Sequence, residues 1–440
     1  MCGIVGYVGY SQAGPILIDG LSKLEYRGYD SAGIAVRDGS KDPEIIKTVG
    51  KLENLIEKTD GGRALKGSMG IGHTRWATHG EPSQTNAHPH VSGSCMGNKT
   101  EDSNIVGVHN GIIENYQELK AKLQRHGYTF YSDTDTEVVV KLVDYYYKKY
   151  NIGTIDAIAK TMVRVRGSYA LELMFKDHPG EIWVARKDCP MIIGVEPDET
   201  YIASDVPAIL KYTRSVYYID NLEMAKLTPG KAVFYNLDGD EVEKETVEIE
   251  YSAEAAEKGG YEHFMMKEIH EQPNAVKDTI NSVVKNDEID FSEVGLTDDD
   301  IKNISQFVIV ACGSAWHVGM AAQYVIEDIA KAPVRVELAS EFRYRKPIID
   351  KNALVVIISQ SGETADSLAA LREAKKLGNK TLAIVNVMGS SIAREADYVF
   401  YTVAGPEISV ATTKAYSTQL IAAYLIALKT AFVRNEITND

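Results

Sequence analysis

The spacing of apolar positions divides the chain into two parts of different character. In the first part, short apolar runs predict buried strands at Gly3–Val8, Gly33–Arg37, Ile105–His109 and Ala170–Phe175. Residues Thr136–Tyr150 instead have apolar positions at helical spacing, after Asp133 and Asp135 as candidate caps. Strands and helices mix here without regular βαβ alternation, which predicts a layered α+β domain.

The second part alternates regularly. Apolar, β-branched runs predict five strands at Phe307–Ala311, Val334–Leu338, Ala353–Ile358, Thr381–Val387 and Tyr398–Val403. Helical patterns separate them, and a final helix is predicted over Thr412–Val433. This order predicts an α/β domain with a mostly parallel, doubly wound sheet. The apolar run Leu420–Val433 is broken by Lys429 and is too short to span a bilayer.

A change of composition marks the boundary between the two parts. Charged residues cluster after Asp238, and Gly259-Gly260 interrupts any helix. Tyr261–Val284 then resembles a helix interrupted at Pro273. The predicted organisation is a first domain at 1–238, a linker at 239–260 and a second domain at 261–440.

Composition narrows the class of protein. The 440 residues are 44% hydrophobic and 25% charged, as expected of globular domains, and the net charge is −15. An acidic chain is not expected to bind nucleic acid or an anionic membrane surface. The N-terminus lacks the basic and apolar regions of a signal peptide, which predicts a cytoplasmic protein. The four cysteines include no C-x-x-C pair, so neither a zinc ribbon nor a disulfide framework is expected.

Cys2 follows the initiator methionine directly. Its small side chain favours removal of the methionine, which leaves a thiol and a free α-amine on one residue. The thiol has a pKa of about 8.5. The α-amine pKa, about 7.7–8.0, lies near the working range of a general base. Cys2 is therefore a candidate nucleophile with its own base; the alternative is an incidental cysteine.

Further motifs favour the first interpretation. After M-C-G-I-V-G come L-E-Y-R-G-Y-D-S-A-G at 24–33, G-H-T-R-W-A-T-H-G at 72–80, H-N-G at 109–111 and S-D-T-D-T-E at 132–137. In this order they resemble the class II glutamine amidotransferases over roughly residues 2–235. That resemblance implies the N-terminal nucleophile (Ntn) hydrolase fold, an α+β arrangement of two stacked sheets between helical layers.

The resemblance also implies roles for individual residues. It makes Cys2, Asn110 and Gly111 catalytic, and assigns glutamine binding to Arg75, Trp76, Thr78, His79 and Asp135. Cys2 attacks the side-chain amide of glutamine and forms a thioester. The Asn110 side chain and the Gly111 N–H form the oxyanion hole. Arg75 holds the substrate carboxylate and Asp135 its ammonium group.

Each of these residues also has a structural interpretation. Asp135 alone is a good helix N-cap, and Asn110-Gly111 alone is a turn signal. Arg75 alone is typical of a surface ion pair. Four histidines, His73, His79, His88 and His90, suggest metal ligands, but H-P-H lacks a helical ligand spacing and the resemblance implies no metal.

In the second part, hydroxyl groups and glycines follow two predicted strands, in C-G-S-A at 312–315 and S-Q-S-G-E-T at 359–364. Helix N-termini at such turns suit phosphate. Neither turn is a P-loop or a dinucleotide fingerprint. The alternative for one such turn is ordinary helix capping. Together with E-I-S-V-A-T-T-K at 407–414, they resemble the sugar-isomerase (SIS) domain, a phosphosugar-binding fold, over about 290–435.

This second resemblance implies a sugar-phosphate site. Its residues are Cys312, Gly313, Ser314, Ser359, Gln360, Ser361, Thr364, Val410 and Ala411. The SIS family commonly has C-G-T-S where this chain has C-G-S-A. Ala315 cannot donate a hydroxyl to phosphate, and Ser314 is the candidate replacement.

The combination resembles the isomerising glutamine–fructose-6-phosphate aminotransferase family. Its implied partners are L-glutamine and fructose 6-phosphate, without a cofactor, in a homodimer. That family has two SIS halves, whereas one is recognisable here, so residues 1–440 are expected to retain glutaminase activity alone. Lys414 and Lys429 are interpreted as helix-end and surface residues rather than as catalytic substitutes. Two alternatives stay open: a non-catalytic phosphosugar sensor, and another class II amidotransferase of the phosphoribosyl-transfer or asparagine-forming type.

Overall fold

The computed structural model describes residues 2–25, 28–96, 99–101, 103–249 and 258–438. The chain forms two units, Met1–Ala253 and Glu254–Asp440. Residues 239–260, predicted as a linker, include two short strands that extend the sheets of the first unit. The division between the units therefore falls inside the predicted linker, close to its C-terminal end.

The first unit is built from antiparallel strands, five described α-helices and a short 3-10 helix at Val206–Ala208. The strands are β1 (Gly3–Val8), β2 (Ser31–Arg37), β3 (Glu44–Val49), β4 (Met69–Arg75), β5 (His90–Val91), β6 (Ser94–Met96), β7 (Lys99–Glu101), β8 (Ile105–Ile113), β9 (Gly167–Phe175), β10 (Ile182–Lys187), β11 (Ile192–Glu196), β12 (Glu199–Ala203), β13 (Ser215–Tyr218), β14 (Glu223–Thr228), β15 (Lys231–Tyr235), β16 (Glu241–Val242) and β17 (Val247–Glu248). The helices are α1 (Ala13–Ser22), α2 (Leu52–Lys58), α3 (Tyr116–Arg125), α4 (Asp135–Tyr150) and α5 (Thr154–Arg164).

All of these strands except β6 and β7, which pair with each other, form two large sheets. In the described residues, one sheet has the order β17-β13-β11-β12-β1-β4-β2-β3, and the other β16-β15-β14-β10-β9-β8-β5. Side chains alternate across each strand. On β1, Ile4 and Val8 face the core between the sheets, whereas Val5 and Tyr7 belong to the core that contains α1. The second sheet packs its other face on α3, α4 and α5. The predicted Ntn architecture of stacked sheets between helical layers is confirmed.

The ends of three elements carry the predicted glutamine site. Cys2 precedes β1, which lies between β4 and β12. Arg75 is the last residue of β4, and Asp135 is the first residue of α4. Thr134, between the two aspartates proposed as caps, is the actual N-cap, because its hydroxyl accepts the Glu137 N–H.

The second unit has a parallel central sheet. Its helices are α6 (Phe264–Val283), α7 (Asp298–Asn303), α8 (Gly313–Ile329), α9 (Ala339–Phe342), α10 (Ala365–Lys376), α11 (Ser391–Glu395) and α12 (Lys414–Val433). Its strands are β18 (Val284–Lys285), β19 (Glu288–Ile289), β20 (Phe307–Ala311), β21 (Val334–Leu338), β22 (Leu354–Ser359), β23 (Lys380–Val385) and β24 (Tyr398–Tyr401).

The five longer strands lie in the order β21-β20-β22-β23-β24, and each pair is parallel. On β20, Ile309 packs in the core with α8 and α12, and Val310 packs in the core with α9 and α10. This confirms the predicted doubly wound α/β sheet. The chain direction across the sheet reverses between β20 and β22, which is where ligands bind in folds of this kind.

Helix α6 differs from its prediction, because it continues through Pro273. A proline inside a helix leaves the carbonyl four residues earlier without its usual donor. Here the Gln272 side chain donates to that carbonyl, of Ile269, at 3.3 Å. The side chain before the proline thus replaces the backbone bond that the proline removes.

One described helix, α12, is long and apolar enough to cross a membrane by length and composition alone. It spans 20 residues, so the argument from the short run Leu420–Val433 does not hold for the whole helix. Over half of its apolar stretch is buried within the protein. It packs against α6 and α8 and contributes Ala422 and Ile426 to the core, which accounts for its composition.

Candidate active site

Cys2 lies against the chain that leaves β4. Its Sγ accepts the Trp76 N–H at 3.3 Å and lies 3.6 Å from the Trp76 carbonyl oxygen. Burial raises the pKa of the Cys2 thiol, although the Trp76 N–H and the charge of Arg75 oppose this. The resting group is therefore a thiol, which needs a base to become a nucleophile.

Asn110 and Gly111 lie beside Cys2 on β8. The Asn110 side-chain amide donates to the Cys2 carbonyl oxygen at 3.1 Å. Gly111 has φ +133°, and a Cβ at this position would lie 2.1 Å from the Ser168 carbonyl oxygen. Only glycine fits here. The end of β8 thus places an amide donor and a glycine of unusual backbone conformation beside Cys2, the candidate nucleophile.

Arg75 is buried and organises the loop that follows β4. Its guanidinium donates to the carbonyl oxygens of His79, of Gly80 at 2.9 Å and of Glu81 at 3.4 Å. Arg75 is therefore not a surface ion pair. Burial lowers the pKa of Arg75, and the carboxylates of Asp135 and Asp30 oppose this shift.

Asp135 joins α4 to β8. Its Oδ2 accepts the Ile113 N–H at 2.9 Å and lies 3.9 Å from Nδ1 of His109. Because Asn110, Gly111 and Ile113 belong to one strand, this bond fixes the carboxylate relative to Asn110 and Gly111. A buried acidic group near Arg75 suits a zwitterionic substrate.

The remaining predicted glutamine residues form the rim. Trp76 is 41% exposed and packs edge-on against Tyr29, with ring centroids 5.6 Å apart. Thr78 is exposed. His79 packs edge-on against Tyr116, and its buried Nδ1 has no hydrogen-bond partner in the described residues.

The other histidines of the motifs form a buried network behind the site. His73 and His88 stack with ring centroids 3.9 Å apart. The Thr136 hydroxyl lies 3.0 Å from Nδ1 of His109 and 3.2 Å from Nε2 of His88, and Thr134 contacts His90 at 3.1 Å. Burial lowers the pKa of each ring, well below the usual value for His73, His88 and His90. The rings act as neutral packing and hydrogen-bonding groups.

In the second unit, both hydroxyl-rich turns lie at the switch point of the sheet. Ala311 pairs with Ile358, so Cys312 and Ser359 leave adjacent strands together. Ser359 Oγ lies 3.1 Å from Thr364 Oγ1 and accepts the Gly362 N–H at 3.1 Å. Gly362 has φ +64°, and a Cβ there would collide with Ser390.

Ser361 and Gln360 complete this turn. Ser361 Oγ accepts the Glu363 N–H at 3.2 Å, so its own O–H can donate elsewhere. The Gln360 carbonyl accepts the Asn386 N–H at 3.1 Å. Hydroxyl groups and free N–H groups at the N-terminus of α10 are donors of the kind that bind phosphate.

Three more of the predicted residues, Cys312, Gly313 and Ser314, lie at the start of α8. Cys312 is its N-cap and accepts a long hydrogen bond from Ser367 at 3.8 Å. Gly313 has φ +56° and Ser314 is exposed. Ala315 is buried, so the departure from the SIS pattern points into the protein.

Val410 and Ala411 are exposed at the tip of the loop before α12. Lys414, interpreted from sequence as a helix-end residue, is the first residue of α12; it is buried, and its ammonium pairs with Glu271 at 2.7 Å. Helix α6 packs over the start of α12 and supplies this partner carboxylate. Lys429 pairs with Asp298 at 3.0 Å.

Sequence reasoning did not single out several residues that hold these sites. Asp30 accepts the Ala77 N–H at 2.8 Å and so fixes the loop beside Trp76. Asp30 lies in the Y-R-G-Y-D-S-A-G motif, so the sequence could have identified it as a candidate site residue. Glu268, on α6, bonds the loop that carries Val410, and a separation of 140 residues leaves no local signal.

Two family models match different parts of the chain. A model described as a glutamine amidotransferase domain matches residues 92–211, and one described as an SIS domain matches residues 300–429. A solved C-terminal domain of glucosamine-fructose-6-phosphate aminotransferase from Francisella tularensis is 44% identical, with TM-score 0.40, over 42% of this chain and 51% of that one.

Curated relatives match along the whole chain. Glutamine–fructose-6-phosphate aminotransferase (isomerizing) of Clostridium acetobutylicum is 52% identical over 100% of this chain and 70% of its own length. The enzyme of the same name from Methanosarcina mazei is 47% identical, over 100% of this chain and 71% of its own length. The chain therefore belongs to the family of isomerizing glutamine–fructose-6-phosphate aminotransferases.

Proposed function

We propose that the first unit hydrolyses L-glutamine at Cys2, as the ammonia-supplying half of a glutamine-dependent amidotransferase of hexosamine synthesis. The observation that carries this is the junction of β1 and β8, where the Asn110 amide donates to the Cys2 carbonyl oxygen at 3.1 Å. A nucleophile, an amide donor and a glycine of unusual backbone conformation meet there. This is the set that acyl transfer requires.

The reaction divides into two steps. The α-amine of Cys2, free once Met1 is removed, takes the thiol proton while sulfur attacks the side-chain amide carbon of glutamine. The oxyanion accepts from Asn110 and from the Gly111 N–H, donors worth roughly 10²–10³ each in rate. The C–N bond breaks, ammonia leaves with the transferred proton, and a thioester remains. Water then cleaves the thioester and releases glutamate.

The direct test is Cys2→Ala. We expect glutamate release to fall to background while the thermal midpoint stays near that of the unsubstituted chain. Cys189→Ala, a buried cysteine of the same unit, is the matched control and should keep the activity. A glutamine-like electrophile should label Cys2 alone, and intact mass should show the loss of one methionine. Normal glutamine turnover by the Cys2→Ala variant would show that Cys2 is not the nucleophile. No turnover by the unsubstituted chain, together with unlabelled Cys2, would favour the alternative of a non-catalytic phosphosugar sensor.

We also propose that fructose 6-phosphate binds in the second unit, at the turns after β20 and β22. The hydroxyls of Ser359 and Thr364, 3.1 Å apart, are the proposed phosphate donors. Thr364→Val keeps the shape of the side chain and removes its hydroxyl, so it should weaken fructose 6-phosphate binding in calorimetry. Thr297→Val, far along the chain from both turns, is the control. If both variants bind fructose 6-phosphate with equal affinity, Thr364 does not contact the phosphate group.

The expectation that residues 1–440 release glutamate without forming glucosamine 6-phosphate stays a prediction. One incubation with glutamine and fructose 6-phosphate measures both products. Stoichiometric glucosamine 6-phosphate would contradict it. We further propose a cytoplasmic homodimer, for which sedimentation at several concentrations is the test.

A further inference from the structure

The loop before α12 is bound by a side chain of α6, which lies far from it in sequence. Glu268, on α6, is buried, and its Oε1 accepts the N–H groups of Ile408 at 2.6 Å and Ser409 at 3.1 Å. Its Oε2 accepts the Ser409 hydroxyl. One carboxylate therefore fixes two consecutive peptide groups directly before Val410.

The other side of the same loop is fixed by its own carboxylate. Glu407 accepts the Thr413 N–H at 2.8 Å, the Ala415 N–H at 3.1 Å and the Thr412 hydroxyl at 2.8 Å. Lys414 and Glu271 add a buried ion pair to α6. Val410 and Ala411, between these anchored ends, are the exposed residues of the loop.

We infer that Glu268 is a positioning residue for the sugar moiety of a hexose phosphate. The inference rests on the proposed binding of fructose 6-phosphate and extends it to a residue that does not touch the ligand. The phosphate contacts proposed at Ser359 and Thr364 belong to a different loop and share no hydrogen bond with Glu268 in the described residues. The anchor should therefore matter to a ligand that has a sugar and not to phosphate alone.

The physical reason lies in the hydrogen-bond acceptors of the Glu268 side chain. A carboxylate offers two acceptor oxygens to the three donors of Ile408 and Ser409. A glutamine keeps one oxygen for the two N–H groups, and its NH₂ group would donate to the Ser409 hydroxyl. The N–H groups of Ile408 and Ser409 are then held by a neutral amide oxygen instead of a charged carboxylate, so the backbone before Val410 is held less firmly.

The test compares two ligands on matched variants of the full chain. Glu268→Gln should weaken fructose 6-phosphate binding about tenfold, the loss of a charge-assisted hydrogen bond. The dissociation constant of inorganic phosphate, measured by competition, should stay within about twofold. Asp278→Asn removes an exposed carboxylate from the same helix and should change neither value.

A second variant covers the case in which Glu268→Gln does not fold. Ser409→Ala removes the hydroxyl that contacts Glu268 and the Ala411 carbonyl oxygen, keeps the carboxylate of Glu268, and should still weaken fructose 6-phosphate binding more than phosphate binding. If either folded variant binds the sugar phosphate as well as Asp278→Asn does, the positioning role is overturned. Equal weakening of both ligands also overturns it. If the unsubstituted chain does not bind fructose 6-phosphate, the proposed function itself fails, which is a separate result.

Discussion

Arg75 holds the loop that follows β4, beside the proposed glutamine site. Its donors reach carbonyl oxygens of three consecutive residues, and its charge stands near Cys2 and Asp135. The planar, multiply donating guanidinium suits this task, whereas the ammonium of lysine is a point charge on a flexible stem.

Arg75→Lys should therefore raise the KM for glutamine by about tenfold or more, the cost of one lost charge-assisted bond. Steady-state kinetics of glutamate release measure it. Arg63→Lys, in an exposed pair with Asp60, is the control and should leave KM unchanged. An Arg75→Lys enzyme with normal KM would show that neither the loop nor the substrate depends on the guanidinium.

A second residue, Glu172, lies in the core between the sheets of the first unit. Its neighbours on the same face of β9, Ala170 and Met174, belong to that core, and its carboxyl oxygens have no hydrogen-bond partner in the described residues. Gly6 makes room for it, since a Cβ there would lie 2.9 Å from Oε2. Burial raises the pKa of Glu172 well above its usual value.

The pH dependence follows from that direction. A raised pKa in the folded state favours folding below the unfolded pKa of about 4.3, and this advantage is lost as pH rises. Glu172→Met should therefore stabilise the protein more at pH 8 than at pH 5, by more than about 1 kcal/mol at pH 8. Thermal midpoints at both values test this, with exposed Glu53→Met as control. If the difference in thermal midpoint between Glu172→Met and the parent protein does not depend on pH, the Glu172 carboxyl group has a hydrogen-bonding or charged partner.

At the scale of elements, α4 links folding to the site. Its N-cap, Thr134, accepts the Glu137 N–H at 3.3 Å, and the next residue is Asp135. Loss of a cap disorders the first turn, so the carboxylate proposed for the substrate ammonium depends on it.

Thr134→Ala should cost about 1 kcal/mol of stability and also raise the KM for glutamine, because the first turn carries Asp135. Chemical denaturation and glutaminase kinetics measure the two effects. Thr134→Ser keeps the hydroxyl and should behave like the parent. If Ala and Ser variants have the same KM, the cap does not position Asp135.

The elements also show what local sequence could and could not predict. Strands such as β1 and β20 were predicted at their observed bounds, because continuous apolar runs are typical of buried strands. The break at Pro273 was wrong because a side chain, Gln272, supplies the missing donor. Motif order identified Cys2, whereas Lys414 and Glu268 depend on contacts between α6 and a loop far away in sequence.

At the scale of the molecule, the chain separates into two units, and every residue proposed for glutamine hydrolysis lies in Met1–Ala253. The unit has its own cores on both faces of its sheets. Units of this size with their own cores commonly fold alone.

Residues 1–253 alone should then hydrolyse glutamine with a kcat within about threefold of that of the full chain. A change of this size is smaller than the roughly tenfold change expected when one interaction is lost. The assay is glutamate release, and Cys2→Ala in the same fragment is the control. A folded fragment without activity would show that the second unit is needed for catalysis.

The buried histidine network has a consequence for the pH–rate profile of the enzyme. Imidazoles are usually the first assignment for an ionisation near neutrality. Here burial lowers the pKa of His73, His88, His90 and His109, so protonation of these rings is displaced to acid. In a His79→Gln background, an acid limb of kcat/KM that persists near pH 7–8 would therefore report the α-amine of Cys2. The profile becomes a direct reading of whether the N-terminus has been processed.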